Sequence, residues 1–304
     1  MNVKKVIFIG SKKIGLTVLK IMEKIAPDLL DACITLEDIK DTRSCFHEFE
    51  EFCKEKKLKL YVLTGRCDIA NIILDRKPDI CFVVGWYRLI PEHVIKSVSG
   101  GFLGIHNSLL PAYRGQAPLV WAMINGEKRV GFSLFSFSNK MDEGDIWIQE
   151  SVNIDETSYI GSVLEQLEYK AGKMFQDYYI DILNGKISPK PQSGIISYGA
   201  KRIPEYGKID WHKSAKDIIF EIHAQSEPYS GAFAILEGEK LIIWKARKFE
   251  YCIYGMPGQV ALIKDEEVVI TCGKNSAIVI EEIQYKEYRG CPGKVLNSLT
   301  LIFE

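Results

Sequence analysis

At 304 residues, with 47% apolar and 26% charged side chains, the chain has the composition of an ordinary folded protein, which excludes a disordered or fibrous polymer. The length is about two domains' worth. Its 39 basic and 40 acidic residues leave a formal charge of −1, so the total predicts no broad basic surface of the kind that dominates nucleic-acid affinity.

Lys4 and Lys5 precede a short apolar run, but Gly10-Ser11-Lys12-Lys13 ends it without a cleavage-like site, so Val6 to Ile9 is predicted as a first strand and not as a leader. The stretch that follows places Ile14, Val18, Ile21, Met22 and Ile25 on one helical face. Ala32 to Thr35, Tyr61-Val62 and Ile80 to Gly85 read as further strands, the last fully buried. Strands alternating with helices predict an α/β fold, a doubly wound, mostly parallel sheet covered on both faces, with ligands beyond the carboxyl ends of its strands.

Between Gly100 and Glu150, polar residues capable of chemistry sit among strand and turn signals. Gly161 to Leu183 carries Val163, Leu167, Ala171, Met174, Tyr178 and Ile182 at three- and four-residue steps, which predicts a long helix with one buried stripe. Gly, Pro, Ser and Lys from Asn184 to Gly207 read as a connector, followed by a helix over Ser214 to Ala224. Short β-rich runs then recur at Ala232–Leu236, Leu241–Lys245, Gln259–Ile263, Val268–Thr271 and Ala277–Ile283, predicting a small antiparallel barrel or sandwich. The expected organisation is a first domain over 1–190, a linker over 191–208 and a small β-barrel over 209–304.

No run of about 18 apolar residues could span a bilayer. The eight cysteines, Cys33, Cys45, Cys53, Cys67, Cys81, Cys252, Cys272 and Cys291, form no CxxC pair, which argues against a zinc site and a disulfide scaffold and for a reducing, cytoplasmic setting. His47, His93, His106, His212 and His223 are dispersed, without the spacing of a metal site.

The densest constellation runs from Gly104 to Gly115, GIHNSLLPAYRG, with Met141-Asp142-Glu143-Gly144-Asp145 beyond it. On chemistry alone, His106 at a strand end and Asp142 in a Gly-containing loop form either an acid/base pair or a structural His and a turn Asp, and only geometry separates these. The whole string is more specific. His106-Asn107-Ser108-Leu109-Leu110-Pro111, Arg114-Gly115, Pro118, Trp121-Ala122, Gly126-Glu127, Gly131 and Asp142-Glu143-Gly144-Asp145-Ile146 closely resemble the core signature of N10-formyltetrahydrofolate-dependent formyltransferases. The resemblance extends to Ile9-Gly10-Ser11, to Val84-Gly85-Trp86-Tyr87 with Leu89-Ile90-Pro91, and to Pro204–Trp211 and Pro228–Phe233, which resemble the junction and start of the small C-terminal domain shared by methionyl-tRNA and amino-sugar formyltransferases.

That resemblance implies a Rossmann-like catalytic domain and transfer of a formyl group to a primary amine through a tetrahedral intermediate, with His106 and Asp142 as catalytic residues. His106 would serve as base or as oxyanion donor, and Asp142 would orient it or an intervening water. The formyl donor, N10-formyltetrahydrofolate, would be lined by Gly85, Trp86, Tyr87, Arg88, Leu89, Ile90, Leu109, Leu110 and Pro111 and by the Glu143, Gly144 and Asp145 loop. An apolar slot with a few fixed polar groups suits a flat heteroaromatic ligand. Ser11, Lys12, Asn107, Ser108 and Arg114 would contact the acceptor, Lys12 and Arg114 as cations for its phosphates.

One position departs from the resemblance. Where relatives carry an Asn two residues before the His, this chain has Gly104, and on an extended strand Asn107 alternates away from the shared face of 104 and 106. Losing one oxyanion donor typically costs about 100-fold or more in rate, so Gly104 leaves open a slower enzyme, a donor from elsewhere, or a noncatalytic folate-binding protein. Pro118-Leu119-Val120-Trp121 and Gly85-Trp86 are closer to the amino-sugar enzymes than to the tRNA enzymes, and the near-neutral charge argues the same way. The expected acceptor is a nucleotide-linked amino sugar, with no nucleic-acid or membrane partner; initiator tRNA is the alternative. A homodimer is the expected assembly, since cyclic dimers are the commonest soluble oligomers.

Overall fold

The structure, a computed structural model, describes residues 3–63 and 69–303; Cys67 lies outside them. Short β-branched runs form β1 (Val6–Gly10), β2 (Leu30–Leu36), β3 (Lys59–Leu63), β4 (Ile80–Val84) and β5 (Phe102–His106), paired in parallel in the order β3-β2-β1-β4-β5. The two-residue β6 (Arg114–Gly115) lies apart, while β7 (Arg129–Ser136) joins β5 antiparallel and β8 (Ile146–Asn153) follows it, completing seven strands. The helices up to residue 183 are α1 (Lys13–Ile25), α2 (Phe46–Lys56), α3 (Ile69–Arg76), α4 (Glu92–Ser97), α5 (Pro118–Ile124) and α6 (Ile160–Leu183).

Strand alternation explains why both faces are covered. Ile7, Ile9, Cys81 and Val83 point to one side and join Ile73 of α3 and Val94 of α4 in one core cluster. Phe8 and Phe82 point to the other, where Phe8 stacks on Phe49 of α2 and Phe82 meets Phe175 and Tyr179 of α6 edge-on. The chain reverses its lateral direction between β1 and β4, so their carboxyl-end loops open the crevice where such sheets bind ligands.

Two helical faces differ from the sequence expectation. Helix α1 buries Gly15, Leu16, Val18, Leu19 and Met22, a stripe rotated away from Ile14, Ile21 and Ile25, which are half-buried. Helix α6 buries Tyr179 completely and leaves Tyr178 exposed, because the ring must meet Phe82.

Contacts divide the chain into two compact units, one comprising Met1–Pro118, Gly131–Val152 and Leu164–Gly199, the other Leu119–Val130, Asn153–Val163 and Ala200–Glu304. The expected linker from 191 therefore gives its first part to the first unit, through β9 (Tyr198–Gly199), which pairs in parallel with β6. In the second unit, α7 (Ala215–Gln225) is capped by Ser214, whose hydroxyl accepts from the Asp217 amide. The strands are β10 (Ala232–Leu236), β11 (Glu239–Lys248), β12 (Val260–Lys264), β13 (Glu267–Cys272), β14 (Ser276–Tyr285) and β15 (Tyr288–Gly290), the last not foreseen. Their antiparallel order is β10-β11-β14-β13-β12, with irregular register in β11 and β12. Ile218, Ile222, Ile243, Ile270 and Ile280 fill the unit's core. No helix among the described residues is long and apolar enough to cross a membrane.

A buried histidine makes this unit acid-sensitive. His223 is 4% exposed, donates from Nε2 to the Ala246 carbonyl (3.0 Å) and lies tilted against the Tyr159 ring, and its burial lowers the imidazole's pKa. The unfolded chain takes up a proton near pH 6.5 that the folded one refuses, so this contribution is full above about pH 6.5 and is lost as pH falls toward the lowered folded value. The urea midpoint of the unmodified protein should fall between pH 7.5 and 5 by more than that of His223→Gln; equal slopes would refute this.

Candidate active site

His106 is the last residue of β5 and shares a strand face with Phe102 and Gly104. Its side chain is 10% exposed, and Nε2–H donates to the Tyr113 carbonyl (2.8 Å). A carbonyl only accepts, so this bond leaves Nδ1 as the basic nitrogen of the neutral ring. Nδ1 faces Asp142 Oδ2 at 3.7 Å, beyond hydrogen-bond length but close enough for a carboxylate to stabilise an imidazolium. Asp142 Oδ2 in turn accepts from the Gly115 amide at 2.7 Å. Asp142 holds φ +52°, a left-handed conformation that Asp tolerates better than most residues.

The loop after β5 is stapled from beneath. Buried Ser133 of β7 donates to the Ser108 carbonyl (2.7 Å) and accepts from the Leu110 amide (3.0 Å), while Gln149 of β8 donates to the Leu110 carbonyl (3.0 Å). The Ser108 amide donates to the His106 carbonyl (2.8 Å), closing a tight turn centred on Asn107. Because β5 stops at His106, strand alternation does not place Asn107; its buried Oδ1 has no hydrogen-bond partner among the described residues.

Gly104 is built as a glycine. A Cβ there would stand 2.3 Å from Phe137 Cε1 and 3.1 Å from the Val83 carbonyl oxygen. Phe137 stacks near Phe102 and tilts against Phe135, which meets the His106 ring edge-on, so an aromatic wall occupies the space of a side chain at 104. Gly104→Asn is therefore expected to destabilise the protein by about 1–3 kcal/mol, and Gly104→Asn with Phe137→Ala to regain part of that loss. Urea titration of both variants checks this; an unperturbed single variant would refute it.

Several expected ligand contacts are internal ties. Ser11 is completely buried and donates to the Gly85 carbonyl (3.1 Å), and buried Ser108 donates to the Ala112 carbonyl (2.6 Å), so neither hydroxyl is open to an acceptor. Lys12 Nζ lies 2.6 Å from Asp38 and 2.8 Å from Asp41, which neutralise it. Burial would raise the Asp41 carboxyl, but hydrogen bonds from Arg43 and Lys12 hold it well below the usual range. Arg114 is 5% exposed, with Nη1 3.2 Å from Glu143 and Nη2 2.7 Å from Gln192 Oε1, which takes its fork away from an external phosphate.

The loop after β4 is more open. Gly85 has φ +68°, and a Cβ there would meet Lys12 Cβ at 2.9 Å, so the turn requires glycine. Tyr87 and Leu89 are exposed, and among the described residues the buried Trp86 Nε1 has no hydrogen-bond partner. Ile90 and Leu110 are buried, and the Leu110–Pro111 peptide is cis. The Asp142–Asp145 loop is fixed by backbone: Gln192 donates to the Asp142 and Gly144 carbonyls, the Asp145 carbonyl accepts from the Ser136 amide, and a Cβ at Gly144 would collide with the Ser136 carbonyl.

Sequence reasoning missed Gln192, Tyr113, Gly115 and Phe137. Gln192 sits between Pro191 and Ser193-Gly194 in a stretch that reads as connector; Tyr113 and Gly115 act through backbone atoms, which carry no sequence signal.

The formyl transferase family model matches residues 48–178, and the formyl transferase C-terminal domain model matches residues 202–298. The bifunctional polymyxin resistance protein ArnA of Wigglesworthia glossinidia brevipalpis is 31% identical over 97% of this chain and 44% of its own length. A methionyl-tRNA formyltransferase of Alkaliphilus oremlandii is 31% identical over 72% of this chain and 70% of its own. Among solved structures, an N-formyltransferase from Helicobacter canadensis in complex with folinic acid and dTDP-3-aminofucose has a TM-score of 0.71 at 19% identity, over 92% of this chain and 99% of that one. HypX from Aquifex aeolicus in complex with tetrahydrofolic acid has a TM-score of 0.66 at 18% identity, over 97% of this chain and 47% of that one. The chain thus spans less than half of ArnA and of HypX. With both of its units matched in order and two thirds of a 31% identical relative covered, the chain belongs to the formyl transferase family.

Proposed function

We propose that this chain transfers a formyl group from N10-formyltetrahydrofolate to the primary amine of a nucleotide-linked amino sugar, at His106 and Asp142. One observation carries the reading: His106 is fixed through Nε2–H to the Tyr113 carbonyl, with Nδ1 turned toward a carboxylate 3.7 Å away. Such a ring accepts a proton at Nδ1, and the resulting imidazolium is stabilised by Asp142 without either side chain moving far. An attacking amine must shed a proton as its nitrogen bonds to the formyl carbon, and Nδ1 takes it. Gly115 keeps the Asp142 carboxylate in place.

The unpartnered Trp86 Nε1 and Asn107 Oδ1 and the apolar side chains of Leu89, Ile90 and Leu110 fit a flat heteroaromatic donor with polar edges. The donor supplies the formyl carbon on a nitrogen leaving group. With an aromatic wall at Gly104, the oxyanion would draw its hydrogen bond from His106 once protonated, or from Asn107.

Pro118-Leu119-Val120-Trp121 and Gly85-Trp86 favour the sugar acceptor, and Lys12 and Arg114 are paired with carboxylates, which suits a polyanion such as tRNA poorly. The second reading, initiator tRNA, draws support from the 31% identity to a methionyl-tRNA formyltransferase.

The test is mass spectrometry of acceptors incubated with the purified protein and N10-formyltetrahydrofolate, with nucleotide-linked amino sugars beside methionine-charged initiator tRNA. A one-formyl gain on a sugar is expected. Gain on the tRNA alone would replace the sugar reading, and folate binding without any formylated acceptor would make the chain a noncatalytic folate-binding protein.

A further inference from the structure

We infer that Gln192 is a positioning residue that sets the separation of His106 and Asp142, an inference that rests on the formyl-transfer reading of that pair. Its amide uses its whole hydrogen-bonding capacity inside the site. Nε2 donates to the Asp142 carbonyl (2.7 Å) and the Gly144 carbonyl (2.8 Å), and Oε1 accepts from Arg114 Nε (3.2 Å) and Nη2 (2.7 Å). Only one orientation of the amide is possible, since a flip would set two N–H groups against a guanidinium and an oxygen against two carbonyls.

The two partners belong to the two halves of the site. Arg114 ends the segment that begins at His106 and includes Tyr113, whose carbonyl holds the imidazole. Asp142 and Gly144 form the loop that presents the carboxylate. Gln192 ties one to the other, next to the direct Gly115 to Asp142 bond.

The rest of the strap holds Gln192 where it is. Lys190 exchanges two backbone bonds of 2.8 Å with Ile146, just beyond the Asp142 loop. Ser197 accepts the Tyr113 amide at its hydroxyl (2.9 Å) and the Arg114 amide at its carbonyl (2.9 Å), and Gly199 accepts the Gln116 amide (2.9 Å). Anchored at both ends, one on each half, the segment 190–199 is a clamp and not a spacer. Asp142 at φ +52° gains most from it, because an unfavourable backbone conformation persists only where its surroundings determine it.

Gln192→Met keeps the length of the side chain and removes all four bonds; Gln192→Glu keeps an acceptor for Arg114 and turns the other oxygen against two carbonyls. Both variants are expected to lower kcat for formyl transfer about 10- to 100-fold, the scale of a misplacement near 1 Å, with KM for N10-formyltetrahydrofolate within about threefold of the unmodified value. Hydrogen exchange of the peptide carrying the Gly115 amide should accelerate, while exchange in β1 and β4 stays as it was. That exchange needs no turnover: if it accelerates in a protein that formylates no acceptor, the clamp stands and the functional reading fails. A transferring protein in which both variants keep kcat within twofold overturns the positioning role, as does an unchanged Gly115 peptide. Should Gln192→Met fail to fold, Gln192→Glu decides alone: reduced kcat at normal thermal stability supports the clamp, normal kcat refutes it.

Discussion

His106→Ala is expected to lower formyl transfer by about 10²- to 10⁴-fold, the range contributed by a positioned general acid or base, while leaving N10-formyltetrahydrofolate binding within a few-fold. The substitution removes the nitrogen that faces Asp142 and the Nε2–H bond to the Tyr113 carbonyl. Losing one such hydrogen bond costs about 0.5–1.5 kcal/mol, a local penalty that a domain of this size withstands. The folate-lining residues proposed here depend on none of these atoms. Turnover, folate affinity and thermal midpoint measured on one preparation separate the roles. Transfer at the unmodified rate would remove His106 from the chemistry, and loss of folate binding in step with turnover would make it a structural residue.

Asp142→Asn is expected to be nearly as damaging, on the order of 100-fold in rate, with little change in stability. The amide keeps an oxygen for the Gly115 amide, and Asn, like Asp, accepts the left-handed backbone that this position adopts at φ +52°. What disappears is the negative charge opposite Nδ1. A carboxylate that merely shapes the loop would be replaced by Asn without loss, whereas one that stabilises the imidazolium would not. Asp142→Ala is the companion measurement: it also loses the Gly115 bond and adds about 1–2 kcal/mol of backbone strain, so it should be both inactive and less stable.

Much of the first unit was legible because its strands are short, buried runs of Val, Ile, Phe and Cys closed by Gly or charged turns. Val6, Ala32 and Ile80 were each placed in the strands they occupy, and His106 was placed at a strand end. The errors share one cause, the tertiary partner. Tyr178 and Tyr179 are indistinguishable by periodicity to within one residue, and only the Phe82 ring decides which is buried. The α1 face was rotated because Gly15 and Leu16, which sequence periodicity discounts, lie against the sheet.

The site divides along the same line. His106 and Asp142 carry a signal as residue types in two separate motifs, and the structure sets them 3.7 Å apart. Charge pairs carry none: Lys12 and Arg114 read as cations free for phosphate, yet Asp38, Asp41 and Glu143 claim them from other loops. Gly104 read as a missing donor, and the structure shows in addition what fills its place, the ring of Phe137. Gln192 had no signal, since its function lies in four hydrogen bonds to a loop 50 residues and an arginine 78 residues earlier in the chain.

The most direct test of the account follows a labelled formyl group. N10-formyltetrahydrofolate carrying an isotopic label in the formyl carbon would be mixed with a nucleotide-linked amino sugar and either the unmodified protein or His106→Ala, and the label traced. Label is expected on the sugar amine with the unmodified protein, at a rate that His106→Ala reduces at least 100-fold at unchanged folate binding. Label that stays on folate or leaves as free formate in the presence of acceptor, or that reaches the amine equally with both proteins, would contradict it.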